Sequence, residues 1–444
     1  MGWIWAMFFA SLTKKNMSLR AAERRIIMNT FTKADILLPQ NVELEKWSVI
    51  ACDQYTSEPE YWDKVKEIAG NAPSTLKLTF PEVYLSDDDA EKRIAKINSE
   101  MKKYLDSGIF KEYNDCMIYV ERTLSDGRVR KGLVGKLDLE DYDFSKGSGS
   151  LVRATEGTVL ERIPPRVKIR ENAPLELPHI MILIDDSDKK VIELIAEIKD
   201  SLEKVYDFDL MMNGGHITGR VLTDEVCTRV MDGLEKLSSE FMSKYNMLEA
   251  PELIFAVGDG NHSLATAKTC WENIKKILTP EEAENHPARF ALCEIVNLHD
   301  DALEFEPIHR VVFGVDETKL FEEMNKFYKI SFTNNGGQFF EYVGNGERKE
   351  IYVENPSSSL TVGTLQNFLD YYIEKFGGKV DYIHGEESVL KLCAKKGNIG
   401  FILPGISKNQ LFPTVIADGA LPRKTFSMGE ADEKRFYLEA KRIR

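Results

Sequence analysis

The run Leu253-Ile-Phe-Ala-Val-Gly-Asp-Gly-Asn-His-Ser-Leu-Ala-Thr-Ala-Lys268 constrains the fold more than any other stretch of the sequence. Five apolar residues stand in a row from Leu253 to Val257, the pattern of a strand buried on both faces. After a glycine-rich polar turn, Leu264, Ala267, Trp271, Ile274 and Leu278 recur at helical spacing, so a helix from about 263 to 278 can lay one face on that strand. Strand and helix in such close succession predict a mixed α/β (α+β) class, with mixed sheets and flanking helices. Between them stand Gly258, Asp259, Gly260, Asn261 and His262. A helix start leaves about four N–H groups unpaired and carries partial positive charge, so a turn without bulky side chains suits an anion. The same residues serve equally well if Asp259 or Asn261 caps the helix and the glycines only turn the chain. Spacing alone leaves both readings open.

The chain has 444 residues, enough for two to three medium domains or one large core. Its formal net charge of −14 argues against nucleic acid as the principal partner, because a duplex-binding surface needs a basic face. No apolar run approaches the roughly 20 residues of a membrane span, which predicts no membrane association. The six cysteines form no CxxC or CxxH pair, so a zinc cluster is not expected, and they read as reduced thiols of a cytoplasmic protein. Residues 1–27 begin with an apolar stretch whose lysines follow it, the wrong order for a signal peptide, and Met17 and Met28 offer later starts. They are expected to be an extension outside the fold. Composition shifts divide the rest into 28–150, 151–250 with a basic segment, and 251–444 with the strand-turn-helix. The oligomeric state is not legible.

Several other stretches carry chemistry. Asp53 sits where an extended stretch, Trp47 to Cys52, turns into a helix; it reads as a site carboxylate or as a turn carboxylate. Ser57 is the expected cap region before Pro59, and Ser86 to Asp89 the expected cap of a later helix. Cys116 to Thr123 and Val129 to Leu137 predict a hairpin around Ser125-Asp-Gly127. The basic interval from Arg153 through Arg162 to Arg170 suggests an anionic partner, unless its arginines bridge to Glu156 and Glu161. A His309-Arg310 pair inside an apolar strand requires an acidic partner or a ligand. Near the end, Arg423, Lys424 and Thr425 could hold phosphate oxygens or form a solvated loop.

Three of these stretches together resemble the bacterial and archaeal family catalogued as domain of unknown function 1015. They are Gly258-Asp-Gly-Asn-His-Ser-Leu-Ala-Thr-Ala267, Ile295-Val-Asn-Leu-His-Asp-Asp-Ala-Leu303 with Pro307-Ile-His-Arg-Val311, and Leu421-Pro-Arg-Lys-Thr425. The turn is also similar to the signature of the ParB and sulfiredoxin superfamily, which includes nucleotide-dependent free-serine kinases. In this sequence Asn261 replaces that signature's first histidine and Ser263 its arginine.

The resemblance implies a ParB/sulfiredoxin-like C-terminal part and a phosphotransfer enzyme acting on serine or phosphoserine, with ATP or ADP and Mg²⁺. Under it, Gly258, Gly260, Asn261, Ser263, Arg310 and Lys424 hold the nucleotide, and His262 donates to a phosphate. Asp53 is the base, Asp259 the Mg²⁺ ligand or second base, and Arg153 and Arg162 meet a small anionic substrate. The alternative is a non-catalytic nucleotide or metabolite sensor, which the Asn261 and Ser263 departures favour.

Overall fold

The computed structural model describes residues 29–85, 89–246 and 250–444. The expected extension at 1–27 and the Ser86 to Asp88 part of the expected helix cap lie outside them. Helices and mixed sheets alternate through the described chain, a mixed α/β fold. They form two units. Of the described residues, unit 1 takes those up to 154, those within 158–302 and 431–444, and unit 2 takes 155–157 and 303–430. The sequence seams at 150/151 and 250/251 both fall inside unit 1.

Unit 1 is built on a ten-stranded sheet. The strand Phe255–Asp259 lies in its interior, antiparallel to Met181–Ile184 and parallel to Val152–Ala154. Phe255, Ala256 and Val257 are fully buried, as the unbroken apolar run predicts. Each large apolar side chain so buried stabilises the fold by about 1.5–3 kcal/mol. The strand starts two residues later than expected and runs on to Asp259, so both Gly258 and Asp259 belong to the ladder. The helix follows at Asn261–Lys275 and buries Leu264, Ala267 and Trp271. Met181 pairs with Asp259 across a register shift, which brings His179 and Ile180 alongside the turn.

The expected hairpin forms between Ile118–Thr123 and Val129–Asp138. Glu58, not Ser57, is the N-cap of the helix Pro59–Ala69, with proline in its first turn. A second hairpin pairs Glu203–Asp209 with His216–Val221. There His216 places one ring nitrogen 2.6 Å from Asp207 and the other 2.6 Å from Asp209. Burial works to lower the pKa of His216, but the hydrogen bonds to the two carboxylates outweigh it and raise the value. A raised folded-state pKa gives stability that is fully present below about pH 6.5 and is lost as pH rises through the folded value. An NMR titration of the imidazole protons is expected to show a midpoint above 6.5; a midpoint at or below it would contradict the pairing.

The C-terminal segment 431–444 returns to unit 1. Phe436–Tyr437 pairs antiparallel with Val49–Ile50, and Lys441–Arg442 with Leu175–Glu176. Trp47 Nε1 donates to the Leu438 carbonyl at 3.0 Å, and Ser48 Oγ to the Tyr437 carbonyl at 2.8 Å. This clasp fixes Tyr437 and Arg435 deep in the unit. Unit 2 carries a seven-stranded sheet around Phe305–Phe313, flanked by helices that include Glu317–Tyr328 and Thr361–Phe376. Among the described residues no helix is long and apolar enough to cross a membrane.

Candidate functional site

The turn is shaped by Gly260, the N-cap of the helix Asn261–Lys275, at φ 80° and ψ 25°. A left-handed backbone of this kind favours glycine. A Cβ built at Gly260 would lie 3.0 Å from Ile180 Cγ1 and 3.1 Å from Ile180 Cα, so space and backbone agree. Gly260→Ala is expected to reduce stability by about 1–3 kcal/mol and to shift the turn. Urea unfolding checks this; an unchanged midpoint would mean that the left-handed turn is not needed.

No side chain caps this helix. Asp259 Oδ1 accepts the Gly260 N–H at 3.0 Å, and Asn261 Nδ2 reaches back to the Val257 carbonyl at 3.4 Å. The capping alternative for Asp259 and Asn261 is therefore not the one the chain adopts. Two buried oxygens of the turn, Asp259 Oδ2 and Asn261 Oδ1, have no hydrogen-bond donor. Lys434, 6% exposed, places its ammonium 3.8 Å from Asp259 Oδ2. His262 Nε2 accepts the Val159 N–H at 3.3 Å, which leaves its ring proton on Nδ1.

Around this turn unit 1 gathers groups from distant parts of the sequence. Ser263 Oγ lies 2.9 Å from His179 Nε2, and Asp53 Oδ2 lies 3.9 Å from the same nitrogen. On the other side of the ring, His179 Nδ1 is 3.1 Å from Tyr437 Oη. Tyr437 in turn donates to Cys52 Sγ at 3.0 Å and accepts the Cys52 N–H at 3.1 Å. Glu82 joins through its N–H to the Cys52 carbonyl at 2.8 Å, with its carboxylate held by Arg166.

The two carboxylates are pushed in opposite directions. Burial alone would raise Asp53, but the charge of His179, the Gln54 hydrogen bond and the charge of Lys434 together hold it below its ordinary value. Burial dominates at Glu82 and raises it, with the charge of Asp53 adding to the effect against Arg166. Such divergence marks an ionised group beside a more readily protonated one. Burial, with the charges of Asp53 and Glu82 behind it, pushes the Cys52 thiol up, so it stays protonated and is no nucleophile.

Arg153 is 2% exposed and clamps the backbone, donating to the carbonyls of Ser150, Pro251 and Glu252 at 2.7–2.8 Å. That commitment takes the place of the substrate contact expected for it. Arg162 is exposed at the start of the helix Ile163–Arg170. Arg310 and Lys424 belong to unit 2. Arg310 is fully buried, and the charges of Glu156 and Asp370 act on it. It donates to Gln366 Oε1 at 3.1 Å and to the carbonyls of Lys424 and Arg423 at 2.9 and 3.1 Å, under the Tyr382 ring. Burial lowers its pKa to about 10. Lys424 is exposed and has φ 55°.

His179, Glu82, Lys434 and Tyr437 have no site signal in the sequence beyond residue type. His179 stands at the head of an apolar strand, where an imidazole needs a polar partner. The other three acquire their place only through tertiary contacts.

The family model described as "Protein of unknown function (DUF1015)" matches residues 35–372. The chain belongs to the DUF1015 family. None of the curated proteins matches this DUF1015 chain in sequence. Among solved structures, a free serine kinase mutant in complex with ADP is similar with a TM-score of 0.39 at 11% identity, covering 71% of this chain and 93% of that one. SbnI with a C-terminal truncation, from Staphylococcus aureus, gives 0.35 at 10% identity over 67% and 82%. A conserved hypothetical protein from Pyrococcus furiosus gives 0.35 at 11% identity over 68% and 90%. Likeness at this level assigns no role to any residue of the DUF1015 chain.

Proposed function

We propose that unit 1 is a phosphotransfer centre, moving a phosphoryl group between a nucleotide and a small hydroxy amino acid of the serine class. The observation that carries this is the meeting of an ionised Asp53 with His179 at the uncapped start of the helix Asn261–Lys275. Phosphoryl transfer needs positioning and charge neutralisation above all. The first-turn N–H groups of Asn261, His262 and Ser263 are an anion cradle. Lys434 supplies positive charge beside them, in place of the arginine that the turn lacks at Ser263. Asp53 orients and deprotonates the acceptor hydroxyl.

A nucleotide phosphate fits the uncapped, side-chain-poor turn, and it would supply the transferable group. Mg²⁺ would fit the donor-less oxygens Asp259 Oδ2 and Asn261 Oδ1, because it takes oxygen ligands and needs only one or two carboxylates. Its contribution would be neutralisation of phosphate charge. Among the described residues no group of three or more His, Cys, Asp or Glu side chains forms a metal cluster, which suits Mg²⁺ shared with a substrate better than a resident ion. The serine class of acceptor rests on the resemblance of the turn to the free-serine kinases. Arg153 is left out of this centre because its guanidinium is committed to backbone carbonyls.

Phosphorus NMR of the protein with Mg²⁺, ATP or ADP, and serine or phosphoserine tests the proposal. Transfer in either direction supports it. Nucleotide binding without turnover would favour a sensor, the reading that the Asn261 and Ser263 departures from the signature support.

A further inference from the structure

Ser263 is more than a wall of the turn. Its hydroxyl lies 2.9 Å from His179 Nε2, and hydrogen-bond accounting around Tyr437 fixes the proton on the other ring nitrogen. The phenol has one proton and two lone pairs. Its proton goes to Cys52 Sγ at 3.0 Å, and one lone pair takes the Cys52 N–H at 3.1 Å. The remaining lone pair accepts His179 Nδ1–H at 3.1 Å. With Nδ1–H committed to Tyr437, the neutral form of the ring turns its lone pair on Nε2 to the Ser263 hydroxyl, which then donates; the protonated form is the one whose charge lowers Asp53. His179 and Tyr437 are 6% and 2% exposed and meet edge to face, which locks the ring, while Ser263 remains partly accessible. The Asp53 carboxylate, 3.9 Å from Nε2, stabilises an imidazolium if the proton moves there. Nucleophile, base and orienting group thus stand in the relation used by activated serines, with a tyrosine hydroxyl on the second ring nitrogen.

We propose that Ser263 is a nucleophile and that phosphoryl transfer passes through a phosphoseryl enzyme. This rests on the phosphotransfer reading above. In the first half, a bond forms between Ser263 Oγ and the donor phosphorus. The bond from that phosphorus to the bridging oxygen breaks, the electron pair leaves with the nucleotide, and the serine proton passes to His179 Nε2. In the second half, the acceptor hydroxyl loses its proton to Asp53 and bonds to phosphorus. The Oγ–phosphorus bond breaks, and Oγ recovers the proton from His179. The net change is nucleotide and alcohol to the nucleotide shortened by one phosphoryl group, a phosphate ester and one proton released through Asp53. Ser263 is the third residue of a 15-residue helix, so the phosphorylated side chain lies at the positive end of that dipole.

The test uses an alkyl fluorophosphonate, which reports activated serines whatever the natural substrate, with the full-length protein and peptide mass spectrometry. The expected result is an adduct on Ser263, with a labelling rate about 10²-fold lower or less in His179→Gln. Tyr437→Phe keeps the ring packing but removes the Nδ1 acceptor. It also strands the Cys52 N–H, so some loss of thermal midpoint is expected; slower labelling at a temperature where both proteins are folded is a result that a purely structural tyrosine would not give. Absence of an adduct on Ser263, or equal rates in both variants, overturns the inference. Ser263→Ala that still transfers phosphate at the wild-type rate overturns it too, while leaving the phosphotransfer reading intact. Labelled Ser263 without any phosphotransfer would instead sink that reading and leave Ser263 a nucleophile toward another ester.

Discussion

Replacing Arg435 by methionine is expected to lower the unfolding free energy of unit 1 by about 3–5 kcal/mol. The guanidinium is 3% exposed and joins two carboxylates that are equally buried, Glu294 and Glu439, each at 2.7 Å. It also donates to the Pro178 carbonyl at 2.6 Å, one residue before His179, while Tyr206 donates to Glu439 at 2.6 Å. The surroundings are built for this network. At Gly132 a Cβ would come within 2.0 Å of Glu294 Oε1, so the strand keeps a glycine where the carboxylate lies. Without Arg435, two charges remain in a dry interior with no cation between them. The triple change of Arg435→Met, Glu294→Gln and Glu439→Gln is expected to recover part of the loss, because much of the penalty is stranded charge. Chemical denaturation followed by far-UV circular dichroism measures both. A loss below about 1 kcal/mol for the single change would show that water reaches the pair.

Asp53→Asn is expected to lower the phosphotransfer rate by about 10²- to 10⁴-fold, the usual contribution of a positioned base. The substitution preserves shape and can keep a hydrogen bond with Gln54, now 3.1 Å from Oδ1, so the fold has little reason to change. What disappears is the charge beside His179 Nε2 and Lys434. Loss of turnover number with little change in nucleotide affinity would separate a base from a binding group. Equal rates in wild type and variant would make Asp53 a turn carboxylate, the other role its sequence position allows.

The strand and helix around the turn were legible because each carries its own periodicity. An unbroken apolar run marks a buried strand and a 3.6-residue repeat marks a helix, whatever surrounds them. Their junction was legible only to two residues, since Gly258 and Asp259 have no apolar side chain to reveal that they pair with the neighbouring strand. The capping box that forms at Thr279 and Glu282 is of the same local kind, written in the run Thr279-Pro-Glu-Glu282. The candidate site is different in nature. Asp53 and Ser263 were visible as polar residues at element ends, yet what makes them chemical is His179 between them and Tyr437 behind it. Tyr437 and Lys434 arrive from the last 14 residues, which return to unit 1 and pair with two short strands outside the ten-stranded sheet. No periodicity encodes that return. The backbone partners of Arg153 and Arg310 were hidden from the sequence for a related reason. Backbone carbonyls can satisfy a buried guanidinium as well as an anion can, and composition does not distinguish the two.

The central claim is that an anion sits at the start of the helix Asn261–Lys275. A crystal of the wild-type protein grown with ADP and Mg²⁺ tests it most directly. The account predicts phosphate oxygens within hydrogen-bonding distance of the N–H groups of Asn261, His262 and Ser263, with Lys434 nearby. ADP bound elsewhere, with this helix start facing only water, would contradict it.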